Sequence, residues 1–329
     1  MLSSDLSAPG SDIRPTAIGF LLIPGFALLP YACAVEPLRA ANILSGRPLY
    51  TWVHYSPDGE PTAASNGVVI PADALPAEGG PHLDTLFVCA GGNPATFTDS
   101  ATFARLRRLG RQGVPLGGIS GGAYVLARAG LLRGYRFTLH WEHAAAIAEE
   151  FPSLNLRRSL FEIDRDRLTC SGGTAALDMM HALIACAHGP VLAAAVSDWF
   201  LQGEIRAGTA PQRLALRDRL GVRNAALLRA LTVMERQVEH PCSRRELAAA
   251  AGVTTRQLER LFRRELGRTP GAHYLLLRLE RARQLARQTT LPLAEIAAAC
   301  GFASLSHFSR SYRASFGMPP GAERFRRRG

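Results

Sequence analysis

The chain is 329 residues long, enough for two or three compact domains, and its 38 basic residues against 27 acidic ones give a formal net charge of +11. Every basic residue is an arginine, so a Walker-type phosphate loop and a pyridoxal Schiff base, which both need a lysine amine, are excluded. Cys33, Cys89, Cys170, Cys186, Cys242 and Cys300 are scattered with no C-x-x-C pair, so neither a zinc site nor a disulfide framework is expected, and no metal or cofactor is assigned.

Residues 1–15 are rich in Ser, Pro and Gly and lack the basic and apolar regions of a secretory signal, which predicts a disordered lead and no export. The best apolar run, 17–29, is interrupted by Pro24-Gly25 and is too short to span a bilayer, so a cytoplasmic protein without a membrane partner is expected. Residues 16–202 alternate apolar strands with amphipathic helices, the pattern of an α/β domain whose parallel sheet is covered on both faces. Strands are expected over 17–23, 50–56, 85–89, 115–118 and 136–139, with a short pair near 160–164 and 167–169. Helices are expected over 31–44, 100–111, 122–129, 142–150 and 175–187. Residues 203–222 form a linker, with 203–211 as the hinge, and 223–329 a helical domain.

Ligands of open α/β sheets collect where strands end and helices begin, and two such junctions are glycine-rich. One is Cys89-Ala90-Gly91-Gly92-Asn93; the other, Gly117-Gly118-Ile119-Ser120-Gly121-Gly122, matches G-x-S-x-G, a sharp turn that exposes a serine hydroxyl. Ser120 is a candidate nucleophile with oxyanion donors from Gly121 and the Gly91-Gly92 amides and His140 as base. Glu36, Glu142, Asp164 and Asp178 are all available as the acid, and no spacing selects one. The same turn serves equally to bind a ligand through its amides and hydroxyl, the reading favoured here.

The last third carries a helix-turn-helix twice. In 244–266, Leu247, Ala248, Ala251, Leu258, Leu261 and Phe262 fall at helical spacings around the Gly252-Val253 turn; in 293–316, Ile296, Ala297, Cys300, Phe302, Phe308, Tyr312 and Phe316 repeat the layout around Gly301. Charge coincides with this repeat: residues 211–329 hold 23 Arg against nine acids, a net +14, while residues 1–210 hold 15 against 18, a net −3. A basic module of this kind is the footprint of double-stranded DNA binding. The second helix of each unit enters the major groove. Helical spacing puts Arg256, Glu259 and Arg260 on the outer face of the first, and Leu305, Ser306, Ser309 and Arg310 on that of the second. Arg suits guanine edges, Glu a cytosine amine and Leu a thymine methyl. Arg263, Arg264, Arg268 and the terminal Arg326-Arg327-Arg328 are candidate phosphate contacts. The amphipathic stretch 274–285 would hold the two units one groove turn apart.

The run IAAACGF followed by SHFSRSYRASFGMPPGAER, within 243–325, resembles the AraC/XylS transcriptional regulators across their whole DNA-binding domain, with Tyr312 in place of the usual Phe. Residues 18–201 resemble the PfpI-like, glutamine-amidotransferase-like domain that precedes such a module in the GlxA group, through Ala34-Val35-Glu36-Pro37-Leu38-Arg39, Cys89-Ala90-Gly91-Gly92, the Ser120 elbow, Thr138-Leu139-His140-Trp141 and Cys170-Ser171-Gly172-Gly173 with Asp178. The resemblance implies a flavodoxin-like α/β fold. It also implies a homodimer formed through that domain, with the helix near 191–201 involved, and an activator that contacts RNA polymerase. The effector it implies is a small nitrogenous metabolite of the betaine, carnitine-like or amino-acid class. Enzymatic relatives carry Cys at the elbow, so Ser120 here removes the thiolate and a non-enzyme is expected. The implied ligand set is Glu36, Gly91, Gly92, Ser120, Gly121, His140 and Trp141, and Tyr31, Trp52, Trp141 and Trp199 are candidates for an aromatic face toward a quaternary ammonium. Two rivals remain: a serine hydrolase or amidase using Ser120 fused to a DNA-binding module, and a constitutive architectural protein whose α/β domain only dimerises.

Overall fold

Alternation along the first strand sets the architecture. In a computed structural model describing residues 14–77 and 80–324, β1 (Thr16–Leu22) sends Phe20 and Leu22 to one face of a sheet and Leu21 to the other, and both faces are buried. Residues 1–13 of the expected 1–15 lead, and the tail Arg326, Arg327 and Arg328, lie outside the described residues; Arg14, at the end of that lead, is instead held by Asp84 through two bonds of 2.7 Å.

The chain continues through α1 (Leu28–Ser45), β2 (Tyr50–Ser56), the small pair β3 (Thr62–Ala63) and β4 (Val69–Ile70), β5 (Asp73–Ala74), β6 (Thr85–Ala90), α2 (Ser100–Arg111), β7 (Leu116–Ser120) and α3 (Gly122–Arg128). Then come β8 (Arg136–Phe137), α4 (Ala144–Glu150), β9 (Asn155–Leu156), β10 (Phe161–Asp164), β11 (Arg167–Cys170), α5 (Ala175–His188) and α6 (Pro190–Trp199). Seven strands form one sheet in the order β10-β11-β7-β6-β1-β2-β5, parallel throughout except for the β10–β11 hairpin at one edge. The central order is that of flavodoxin-like sheets, as the sequence predicts. One face packs against α1, α5 and α6, the other against α3 and the α2 and α4 segments.

Two expectations shift. The strand placed at 136–139 is only the two-residue β8, which pairs with β9 outside the main sheet, because Thr138 and its neighbours turn toward the linker. The helix placed at 142–150 is a 3-10 turn, Trp141–His143, followed by α4.

The helical domain consists of α7 (Leu216–Leu220), α8 (Ala225–Arg236), α9 (Arg244–Ala251), α10 (Thr255–Leu266), α11 (Pro270–Gln288), α12 (Leu293–Ala299) and α13 (Leu305–Phe316). Side-chain caps start most of these: Asn224 for α8, reciprocal capping boxes Ser243/Glu246 and Thr254/Gln257 for α9 and α10, Thr269 for α11 and Ser304 for α13. Each helix-turn-helix has its own core. Leu227, Leu231, Leu247, Leu258 and Phe262 fill the first; Leu279, Leu285, Ile296, Phe308 and Tyr312 fill the second. Helix α11 runs between them, and the buried Glu323 carboxylate ties the C-terminal turn to it through Arg283 Nε at 2.8 Å and Arg287 Nε at 2.7 Å.

The turn glycine of the second unit is constrained twice over. Gly301 has φ 73°, and a Cβ there would stand 2.7 Å from Pro241 and 2.8 Å from the Glu239 carbonyl oxygen, in the segment leading into α9. Gly301→Ala is expected to cost about 1–3 kcal/mol, left-handed strain and overlap both contributing, as a lowered urea midpoint with unchanged slope would record.

Candidate functional site

The strand-to-helix turn at Ser120 has the strained geometry its motif predicts. Ser120 is paired across the sheet with Ala90 and has φ 58°, an uncommon conformation for a non-glycine residue. The following amide, Gly121 N–H, donates to the Ala90 carbonyl at 3.0 Å, so it is not the free oxyanion or ligand donor that the motif suggests. The two glycine junctions are thus adjacent, and Gly91, Gly92, Ser120 and Gly121 come together at the C-terminal ends of β6 and β7. Ser120 is 7% exposed. Among the described residues no side chain hydrogen-bonds its hydroxyl.

A third glycine junction closes over the elbow, and the sequence-derived ligand set omits it. At Gly172 (φ 92°) a Cβ would lie 2.8 Å from the Ser120 Cβ and 2.9 Å from its Oγ. The available signal was the Gly172-Gly173 pair following the expected strand at 167–169. Burial pushes the Cys170 thiol up to about 11, against a smaller opposing influence of the neighbouring Gly172 and Ser120 amides, so it stays protonated at neutral pH.

The other candidates come from other elements. Glu36 is on α1, ion-paired with Arg39 at 2.5 Å and partly exposed. His140 is half-buried, its Nδ1 3.7 Å from the Glu142 carboxylate and its ring beside Trp141; burial holds its pKa below the usual value. Of the four candidate acids, only Glu142 approaches His140. Asp164 accepts from the Arg136 amide and Arg165, while Asp178 is occupied by Gln202 and Arg206. The four aromatic candidates do not form one face: Tyr31 is in the core with its hydroxyl on His54, Trp52 is partly buried on β2, Trp199 is exposed at the end of α6, and Trp141 lines a cleft between the two domains.

That cleft exists because the domains touch. Asn93, next to Gly92, donates its amide to the Arg287 carbonyl of α11 at 2.7 Å. Gln284 of α11 donates to the Glu142 carbonyl, and Ala145 of α4 joins the core of the second helix-turn-helix. The segment between the domains is fastened too: Gln212 donates to the Thr138 hydroxyl and the Leu139 and Ser159 carbonyls.

On the helical domain, Arg256 and Arg260 are exposed on α10, and Arg263 and Arg264 line the same shallow groove. Glu259, partly shielded, pairs with Arg263 at 3.2 Å and with Arg244 at 3.9 Å. On α13, Leu305, Ser306 and Arg310 are exposed and Ser309 is half-buried. Both faces point away from the apolar side chains that fill the two cores, as the helical spacing predicts.

Comparison with known proteins fits this architecture. The DJ-1/PfpI family model matches residues 18–186, and a helix-turn-helix domain model matches 247–327. Over 321 residues the chain is 48% identical to the HTH-type transcriptional regulator GlxA of Rhizobium meliloti (strain 1021), covering 97% of this chain and 99% of that protein. The chain belongs to the AraC-type transcriptional regulators built on a DJ-1/PfpI domain. The regulator is also 49% identical over 307 residues to the HTH-type transcriptional regulator CdhR of Pseudomonas aeruginosa, covering 93% of this chain and 90% of that one. A solved AraC family transcriptional regulator from Pseudomonas putida superposes with a TM-score of 0.51 at 29% identity, covering 56% of this chain and 100% of that one. The regulator is therefore a DNA-binding protein of transcription. Among the described residues, no helix is long and apolar enough to cross a membrane.

Proposed function

We propose that the regulator is a cytoplasmic transcriptional activator that responds to a small nitrogenous metabolite, of the betaine, carnitine-like or amino-acid class, and passes that response to RNA polymerase. The effector is held at the glycine junctions by Gly91, Gly92 and Ser120, with Glu36 and His140 as flanking groups; the Gly121 amide is taken by the Ala90 carbonyl and Trp141 faces the interdomain cleft, so neither belongs to this set. The observation that carries this reading is the Asn93 bond to Arg287: one residue beyond the Gly91-Gly92 amides, the junction is anchored to the helix that joins the two DNA-reading units. A ligand that moves this loop biases the placement of α11, provided its affinity differs between the two arrangements. Turnover is disfavoured because a serine hydroxyl without a base in contact is a poor nucleophile. A homodimer is supported by apolar side chains left uncovered around α6, where Val191 is 84%, Trp199 48% and Leu201 92% exposed.

The test is ligand-observed NMR of the full-length protein with a mixture of amino acids, betaines and carnitine-like compounds, followed over time. Saturation transfer to one compound at constant concentration identifies the effector. Steady loss of a compound, abolished by Ser120→Ala, replaces this reading with a serine hydrolase or amidase. Asn93→Ala is expected to bind the effector with unchanged affinity while operator binding, measured by fluorescence anisotropy, loses at least about half of its effector-dependent coupling free energy, typically 1–3 kcal/mol in total. Full effector dependence in that variant would rule out this route of coupling.

A further inference from the structure

The cleft between the domains has a volume of about 830 Å³, room for a small metabolite. Its walls carry eight arginines, of which three are paired: Arg283 and Arg287 by Glu323, and Arg219 by Glu235 at 2.6 Å. Two of the other five flank the domain boundary. Arg281, midway along α11, and Arg213, in the segment leading out of the α/β domain, make no ion pair or hydrogen bond to any described residue. Arg213 instead lies over the Trp141 ring, its guanidinium carbon 4.3 Å from the centroid. Burial lowers the proton affinity of both, more than the distant carboxylates facing them, Glu149 and Glu239 for Arg281 and Glu235 and Glu280 for Arg213, restore it. Arg281 is the more enclosed of the two, whereas Arg213 keeps an exposed side; a partly desolvated guanidinium without an anion in contact is unfavourable, so Arg281 is the group that an added anion would stabilise most. Arg157, Arg158 and Arg236, exposed on the same walls, are also without a carboxylate partner among the described residues.

We propose that this cleft is a second ligand site, for a small carboxylate anion held between Arg281 of the helical domain and Arg213 of the connecting segment, with Trp141 as its apolar floor. Guanidinium forks match carboxylates with two parallel charge-assisted bonds, and the Trp141 ring already orders Arg213 for that contact. The two arginines sit on opposite sides of the domain boundary, so the anion binds the docked arrangement better than an undocked one and stabilises it. This site is separate from the glycine junctions and stands whether or not the effector binds there.

The test is isothermal titration calorimetry of the full-length regulator with acetate, succinate and citrate, and with succinamide as the neutral counterpart of succinate. At least one carboxylate is expected to bind, with succinamide silent. Arg281→Gln and Arg213→Gln are each expected to weaken it by at least about tenfold, the loss of a charge-assisted contact, while Ser120→Ala leaves it unchanged. Arg213 is exposed, so its replacement tests the site even if Arg281→Gln perturbs folding. Silence from all three carboxylates, equal binding of succinamide, or undiminished affinity in Arg213→Gln would overturn the proposal. A Ser120→Ala variant that loses the carboxylate would move the site to the elbow and overturn it as well.

Discussion

Asp178→Ala is expected to lower the unfolding free energy by about 3 kcal/mol and to weaken the link between the two domains. The carboxylate is fully buried in the first turn of α5 and accepts from Gln202 Nε2 at 2.9 Å, the Arg206 amide at 2.9 Å, and Arg206 Nε and Nη2 at 3.0 and 2.5 Å. Breaking a buried pair by removing one partner typically costs about 3–5 kcal/mol. The lower end applies here, because the Arg206 side chain is 35% exposed and regains water when released. Asp178→Asn keeps one acceptor but turns an amide donor toward a guanidinium, so a loss of about 2 kcal/mol is expected from it. Chemical denaturation of both variants measures these costs; a change below about 0.5 kcal/mol, the range of ordinary surface substitutions, would mean that the pair contributes little. The consequence for function follows from position. Asp178 fastens residues 202–206 to the α/β domain just before Gln212 makes its three contacts, so cutting it loosens the connection while leaving both helix-turn-helix cores intact. Operator affinity without effector should hold, and its effector dependence should shrink.

The helical domain was legible because its determinants are local. Capping boxes, apolar residues at helical spacings and a turn glycine lie within about twenty residues of one another, and the resemblance covers the same stretch. Helix α2 has the expected limits because Asp99 caps it, accepting from the Ala101 and Thr102 amides. The short strands β3, β4 and β5 escaped notice because two residues carry no alternation pattern; only their distant partners define them. Helix α1 begins three residues before its expected start, with Pro30 inside its first turn where a missing N–H costs nothing. The elbow was readable from G-x-S-x-G in a strand-to-helix context, but the contact of Gly172 with Ser120 joins the end of β7 to the turn after β11, far apart in sequence. The cleft was invisible for the same reason in stronger form. Arg213 and Arg281 look like ordinary members of an arginine-rich chain until the domain interface brings them to one cavity and leaves them unpaired.

The other large effect is expected on DNA. Arg260→Ala and Arg256→Ala should each reduce affinity for the operator by about 10- to 100-fold, since a bidentate arginine–guanine contact discriminates by about 1–3 kcal/mol. Their affinity for a scrambled duplex should fall far less. Arg268→Ala, outside the reading face, should weaken both duplexes alike and flatten the salt dependence by about one counterion. Glu259 separates the two kinds of contact. In the free protein it pairs with Arg263 and Arg244, cations well suited to phosphates, so it restrains non-specific attraction while standing ready to accept from a cytosine amine. Glu259→Ala should therefore raise affinity for the scrambled duplex and lower the ratio between operator and scrambled binding, an effect opposite in sign to that of the arginine variants. Helix α11 gives the reason both units count: its 19 residues span about 28 Å, close to the roughly 34 Å between successive major-groove faces, so α10 and α13 can read adjacent turns. Truncating the exposed Leu305 of α13 should then cost about 1 kcal/mol at the operator through the lost methyl contacts. Anisotropy titrations over a range of salt with the two duplexes measure all of these; equal losses on operator and scrambled DNA for Arg256→Ala and Arg260→Ala would move both arginines from the base edges to the backbone.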